Sequence, residues 1–310
     1  MRDKVGVIRL FLFCAAVALA GLAGAGEAGA RQARIVVDFE YDDARDFKEG
    51  LAAVKSRDLW GYIDTTGKIA IPPSYKVPEA GSFSNGFAFV GASFIDATGG
   101  AAFEGKTFER ARAFSEGLAA VQTGGQWGFI DSAGRFAVAP LYEDAGSFSG
   151  GLAPVKRGGL WGYIDVRGRL LIAPRYLRAG PFGGEGYNRR AAVDLNGKVG
   201  YIDRSGRFAI VPAYDEGGDF SGGGLAPVKG PAGRRDWGYI DAAGREVIPR
   251  QFNGAGAFGE GLAPVATDAR WGYIDVRGRL ALDALYDDAR PFSEGLAAVE
   301  RDGKWGFIRQ

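Results

Sequence analysis

In the stretch Leu160–Asp165, LWGYID, Trp161 and Tyr163 fall on one side of an extended chain and Gly162 and Ile164 on the other. A period of two predicts a β-strand. Upstream, GLAPVK (151–156) is apolar with partial alternation, and downstream RLLIAPRY (169–176) forms a further run. Only RGG separates the first two runs and only VRG the second two. Short glycine-bearing gaps between such runs are hairpin signals. Residues 148–176 are therefore predicted to form a three-stranded antiparallel meander. No long helical period follows the first 30 residues.

The same line recurs. Trp60, Trp127, Trp161, Trp237, Trp271 and Trp305 each precede a glycine, and the closest neighbours are 34 residues apart. Two wider gaps hide worn copies, one at Phe94-Ile95-Asp96 and one at Gly200-Tyr201-Ile202-Asp203, where Val199 replaces the indole. The copies fall near 39–74, 75–107, 108–141, 142–175, 176–213, 214–251, 252–285 and 286–310. The expected fold is all-β, with about eight tandem three-stranded units of ~34 residues.

Ring or solenoid is left open by the pattern. The last copy stops at WGFIRQ without a third run, while RIVVDFEY from Arg34 matches a third run that lacks its first two. Closing one end on the other removes free sheet edges. An open β-solenoid with frayed ends is the alternative.

Each repeated position has an expected job. Asp64, Asp131, Asp165, Asp203, Asp241 and Asp275 stand three residues before a glycine, as does Asp96. Aspartate accepts hydrogen bonds at the head of a turn, and glycine takes positive φ at its end. The tryptophans and the phenylalanines of F-x-x-G are expected to pack between units, with the glycine after each tryptophan allowing close approach. An aromatic shelf for sugars or cations is the functional alternative. Pro154, Pro227 and Pro264 share a slot in the first run, which predicts a position needing no ladder bond, an edge.

Composition narrows the chemistry. The chain has 310 residues, 46% of them apolar, enough for a sizeable core. The first 30 differ: Arg2, Lys4 and Arg9 precede the apolar run Leu10–Gly26, and Ala28–Ala30 offers a small-residue cleavage site. That is the pattern of a secretory signal peptide, which predicts a periplasmic or secreted protein of residues 31–310 with no membrane insertion after cleavage. An uncleaved N-terminal anchor is the alternative. Removing the segment takes three basic and two acidic side chains from the chain's 38 and 37 and leaves the two signs balanced. Balance argues against a nucleic-acid partner.

The chain has no His, and its one Cys, Cys14, lies in the leader. Thiol and imidazole catalysis and His-metal sites are thereby excluded. No cofactor, no metal and no enzymatic activity are expected. Local function is expected where the repeat breaks. One break carries Tyr187, Arg189 and Arg190, another Arg234 and Arg235, and arginine pairs beside an aromatic can bind carboxylate or phosphate.

The motif W-G-[YF]-I-D-x-x-G with upstream F-x-x-G-L-A-x-V resembles the WG-repeat family of bacterial β-repeat proteins over about residues 34–310. The resemblance implies a β-repeat array without a known activity. The expected function is an exported, non-enzymatic binding or scaffold surface for a protein or cell-envelope polymer. A carbohydrate- or peptidoglycan-binding protein using exposed aromatics is the alternative.

Overall fold

The computed structural model describes residues 31–184, 189–231 and 236–310. The leader with Cys14, and Tyr187, Arg234 and Arg235, lie outside the described residues. Seven antiparallel four-stranded sheets form the blades of a ring, a β-propeller, and no α-helix occurs among the described residues. A two-stranded sheet, Phe87–Val90 with Ser93–Asp96, lies between the first and second blades in the chain.

The expectation of about eight three-stranded units is thus corrected. Each blade has an additional strand, only two residues long in most blades, such as Asp43–Ala44 or Asp144–Ala145. Two residues carry no periodicity, so alternation could not reveal them. The copy at 75–107 builds no four-stranded blade. Ala92 and Ser93 stand where other copies have Trp-Gly, and the paired strands shrink to four residues each.

Blade I runs from Asp43 to Tyr75, II from Arg110 to Tyr142, III from Asp144 to Tyr176 and IV from Arg178 to Tyr214. Blade V runs from Glu216 to Phe252 and VI from Gly254 to Tyr286. Blade VII joins Asp288–Ala289, Ala297–Arg301 and Lys304–Arg309 to the N-terminal strand Arg34–Tyr41. Val37 pairs with Phe307 and Tyr41 with Trp305. That pairing closes the ring and overturns the solenoid alternative.

The fourth strand of each blade alternates exposed and buried positions, as in eeBeieB for Phe136–Tyr142 and Leu170–Tyr176, which marks it as the outer edge. The short first strand therefore faces the axis. The core lies between blades. One cluster joins Leu152, Tyr163, Ile172 and Tyr176 of blade III to Phe182, Ala191, Val193 and Ile202 of blade IV. No blade buries its faces alone, the expected behaviour of a repeat array.

The glycine after each tryptophan answers to its own blade. In blade I, Trp60 pairs with Tyr75 but Tyr62 with Ile71, so the outer strand bulges between them. The bulge passes over Gly61, where a Cβ would lie 2.6 Å from both Ile71 O and Pro73 N. Glycine is therefore required by a β-bulge. The proline slot is also corrected. Pro227 lies on the second strand of blade V, not on an edge strand. The first strand ends at Gly217, and the Gly218 carbonyl beyond it accepts a hydrogen bond from the Tyr201 hydroxyl instead.

Candidate functional site: one face of the ring

Successive blades are tied by a repeated set of contacts. The aromatic after Trp-Gly packs on the phenylalanine of the next copy, with ring centroids 4.8–5.1 Å apart in pairs such as Phe129–Phe148 and Tyr163–Phe182. Where it is tyrosine, its hydroxyl also reaches the next blade, as Tyr163 to Gly180 O at 2.8 Å and Tyr239 to Gly256 O at 2.9 Å. Serine hydroxyls add Ser115 to Phe148 O at 2.6 Å and, across the closure, Ser293 to Phe47 O at 2.7 Å. The inter-blade aromatic partner of phenylalanine is thus Tyr or Phe, and Trp127 packs in the same inter-blade cluster as Phe148.

Glutamates in the first hairpin turns form a second tie. Glu49 accepts from Asn85 and Gly86 N–H, Glu116 from Gly150 and Gly151, Glu260 from Gly295 and Glu294 from Gly50. Each of these glutamates has positive φ, between 52° and 56°.

The turn aspartates do structural work. Asp131 accepts from Ala133 and Arg135 N–H and pairs with the Arg135 guanidinium. Those bonds, from the Arg135 backbone first, hold its carboxyl below the usual range. Asp64, Asp165, Asp203, Asp241 and Asp275 repeat the backbone pattern. These carboxylates are spread around the ring, with Asp203 and Asp241 lining one open groove, and no metal-holding group of three occurs among the described residues.

Of the predicted arginines, Arg190 lines an open groove of about 1020 Å³ with Asp203, Asp241 and Arg245. Its Nη1 donates to Arg189 O at 3.1 Å, and its buried Nε has no partner. Arg189 turns elsewhere: its Cδ lies 3.0 Å from where a Gly150 Cβ would be, against the preceding blade. The two arginines therefore do not form one clamp.

The tryptophans divide the ring. Trp60, Trp127 and Trp305 are 0%, 4% and 6% exposed, whereas Trp161, Trp237 and Trp271 are half-buried. The cause is a single side chain just after the short first strand of the same blade. Arg45, Arg112 and Arg290 lay their guanidinium groups over Trp60, Trp127 and Trp305 at 5.6, 5.3 and 4.8 Å from the ring centroid. Each also reaches an acid on the following copy: Glu79, Asp144 and Asp43 respectively. At the matching place blades III to VI carry Gly146, Gly180, Gly218 and Gly256.

A second residue changes with it. The arginine blades have Ala53, Ala120 and Ala298 opposite, and three of the glycine blades have Pro154, Pro227 and Pro264. A Cβ at Gly146, Gly218 or Gly256 would meet the proline ring at 2.6–2.8 Å, so proline bars a side chain there. The proline slot stands out in the sequence, but its pairing with glycine was missed there. Within one sequence, that covariation was the available signal.

On this face the blades without the arginine run from III to VI, and three of them, III, V and VI, present a partly exposed tryptophan, while blade IV has the buried Val199 in its place. Beside Trp237, a pocket of about 310 Å³ is lined by Pro227, Gly218, Asp219 and Gly256. Burial pushes the Asp219 carboxyl up to about 6. Asp46 occupies the same place in blade I; burial raises its carboxyl too, against Arg290, Lys48 and Arg45, and its Oδ1 has no partner.

The family profile of the WG containing repeat matches residues 31–60, 60–91, 93–127, 127–161, 161–198, 200–229, 237–269 and 271–305. The chain belongs to the WG containing repeat family. No curated protein matches it. Among solved structures, this WG-repeat chain is similar to "Crystal structure of the eukaryotic initiation factor", at 12% identity and TM-score 0.57 over 86% of this chain and 83% of that one. It also resembles Kluyveromyces lactis Hsv2p at 9% identity and TM-score 0.49, over 87% of this chain and 98% of that one. The first likeness concerns the fold alone.

Proposed function

We propose that this WG-repeat protein is an exported, non-catalytic binding module that holds a protein partner on the face where Trp161, Trp237 and Trp271 are uncovered. The observation that carries the reading is the partly exposed tryptophan on three of the four successive blades that lack the arginine, because tryptophans on a rigid frame are favourable anchor points for association. Non-catalytic is supported by the absence of His from the chain and by the engagement of the repeated aspartates in their own turns. Export rests on the pattern of residues 1–30.

A second reading, an envelope carbohydrate or peptidoglycan binder, draws on the same half-exposed indoles. One experiment separates them. The full chain is expressed in a bacterium with an envelope, crosslinked in place, and compared with a Trp161→Ala, Trp237→Ala variant. A protein crosslink that the variant loses supports the partner reading. Cosedimentation of the wild type with purified peptidoglycan, lost in the variant, transfers support to the second. Identical behaviour of both proteins in both assays removes the proposed face, and recovery in the cytoplasmic fraction removes export.

A further inference from the structure

The arginine-capped blades show what their tryptophan face accepts. In blade II the Arg112 guanidinium lies over Trp127, donates from Nε to Ala145 O at 2.5 Å, and donates from Nη2 to Asp144 Oδ1 at 3.2 Å. The seat has three walls: an indole, a backbone carbonyl and a carboxylate, the last two from the Asp-Ala pair that opens the next blade. Blade VII repeats the indole and the carboxylate with Arg290, Trp305 and Asp43. A planar cation stacked on an aromatic face and bonded to a carboxylate is the arrangement guanidinium suits best.

Blade VI has the walls without the occupant. Trp271 is half-buried, and Asp288-Ala289 opens blade VII as Asp144-Ala145 opens blade III. The Ala289 N–H donates to Asp288 Oδ1 at 2.8 Å, matching Ala145 on Asp144 and Ala44 on Asp43. The side chain that would supply the cation is missing, because the position is Gly256 and Pro264 bars a replacement there. Ala289 is 8% exposed where Ala44 and Ala145 are 0%. Among the described residues Asp288 forms no ion pair. Its cross-strand partner is Glu300, where Asp43 and Asp144 face Lys55 and Lys156. At the position of Asp288 the other open seats have no carboxylate: the blade after Trp237 opens with Gly254 and the blade after Trp161 with Arg178.

We propose that the seat formed by Trp271, Asp288 and Ala289 O takes the side chain of an arginine presented by a protein partner. The occupant is specified by the chain's own repeats, which fill the homologous seat with arginine in two blades that are followed by the same Asp-Ala pair. The stem of an external arginine enters over Gly256 and Pro264, and its guanidinium stacks on the indole and donates to Asp288. This names the chemistry of the partner and rests on the binding reading above.

The probe is N-acetyl-arginine amide, titrated at millimolar concentration into the protein while the Trp271 indole N–H is followed by NMR. The neutral isostere N-acetyl-citrulline amide is the control. Saturable movement of the Trp271 signal with arginine, about tenfold weaker with citrulline, is expected. Asp288→Asn, at a surface position, is expected to weaken arginine binding about fivefold. A Gly256→Arg, Pro264→Ala variant is expected to fill the seat internally, abolish the response and raise the melting temperature. Equal response to citrulline, or an undiminished response in Asp288→Asn, overturns the proposal. If the double variant does not fold, Asp288→Asn and the citrulline control still decide. Should the wild type capture a partner in the envelope and Asp288→Asn capture it equally, the arginine seat fails while the binding function stands. Saturable arginine binding with no protein captured in the envelope upholds the seat and removes the partner reading.

Discussion

The Tyr163 hydroxyl of blade III donates to the Gly180 carbonyl of blade IV at 2.8 Å, while its ring packs on Phe182 with centroids 5.1 Å apart. One side chain thus supplies both polar and apolar parts of the seam. Phe129 and Phe307 hold the matching position in blades II and VII without the hydroxyl, so the ring contact suffices for assembly. Tyr163→Phe is therefore expected to fold and to lose about 1 kcal/mol, read as a shift in the denaturation midpoint. An unchanged midpoint would mean that the bond contributes nothing net.

Glu116 ties its turn to the Gly150 and Gly151 N–H groups of the next blade at 2.7 and 2.8 Å. Glu116→Gln keeps the length and backbone demand and removes the charge. The expected loss is about 1 kcal/mol, or roughly 2–4 °C in melting temperature, and it should shrink in high salt. A variant as stable as the wild type at low salt would contradict the tie.

Gly128 lies under the bulge of its outer strand, where a Cβ would meet Val138 O and Pro140 N at 2.7 Å. Backbone on both counts cannot step aside as a side chain would. Gly128→Ala should cost about 3 kcal/mol or more, seen as a melting temperature lower by at least about 6 °C. By contrast Gly125→Ala, in an open turn with φ +75°, should cost only about 1 kcal/mol through backbone strain.

Asp219 is pushed up to about 6 by burial. Between its ordinary value and 6 the native state keeps a proton that the unfolded chain has released. Stability from this group is therefore full at low pH and declines as pH rises through about 6. Asp219→Asn should raise stability at pH 7.5 by about 2 kcal/mol, at ~1.4 kcal/mol per pH unit less an allowance for partial exposure, and change little at pH 4. Paired melts at the two pH values check the sign. A gain at pH 4 equal to that at pH 7.5 would refute a titrating cause.

How much could be read in advance follows from range. The hairpin Leu152–Arg157 with Leu160–Asp165 was legible, because alternation and a Gly-Gly turn act within a dozen residues. The two-residue strand Asp144–Ala145 was not, because it is defined only by pairing with Lys156 and Val155. The arginine seats were legible only in part. The sequence holds the alternation of Arg-Ala with Gly-Pro, but Arg112 gives no sign by itself of reaching a carbonyl 33 residues on.

The amino-acid sequence by itself determined the repeat, its antiparallel hairpins and the aspartate-to-glycine turns, since each depends on local periodicity and on the φ that glycine permits. The tertiary structure alone decided the four-stranded blade, the closing of Arg34–Tyr41 onto Lys304–Arg309 and the division of the face into covered and open tryptophans. Those features arise between blades, where one copy's side chain meets the next copy's backbone. Such meetings depend on how the ring brings distant segments side by side, and no short window along the chain records them.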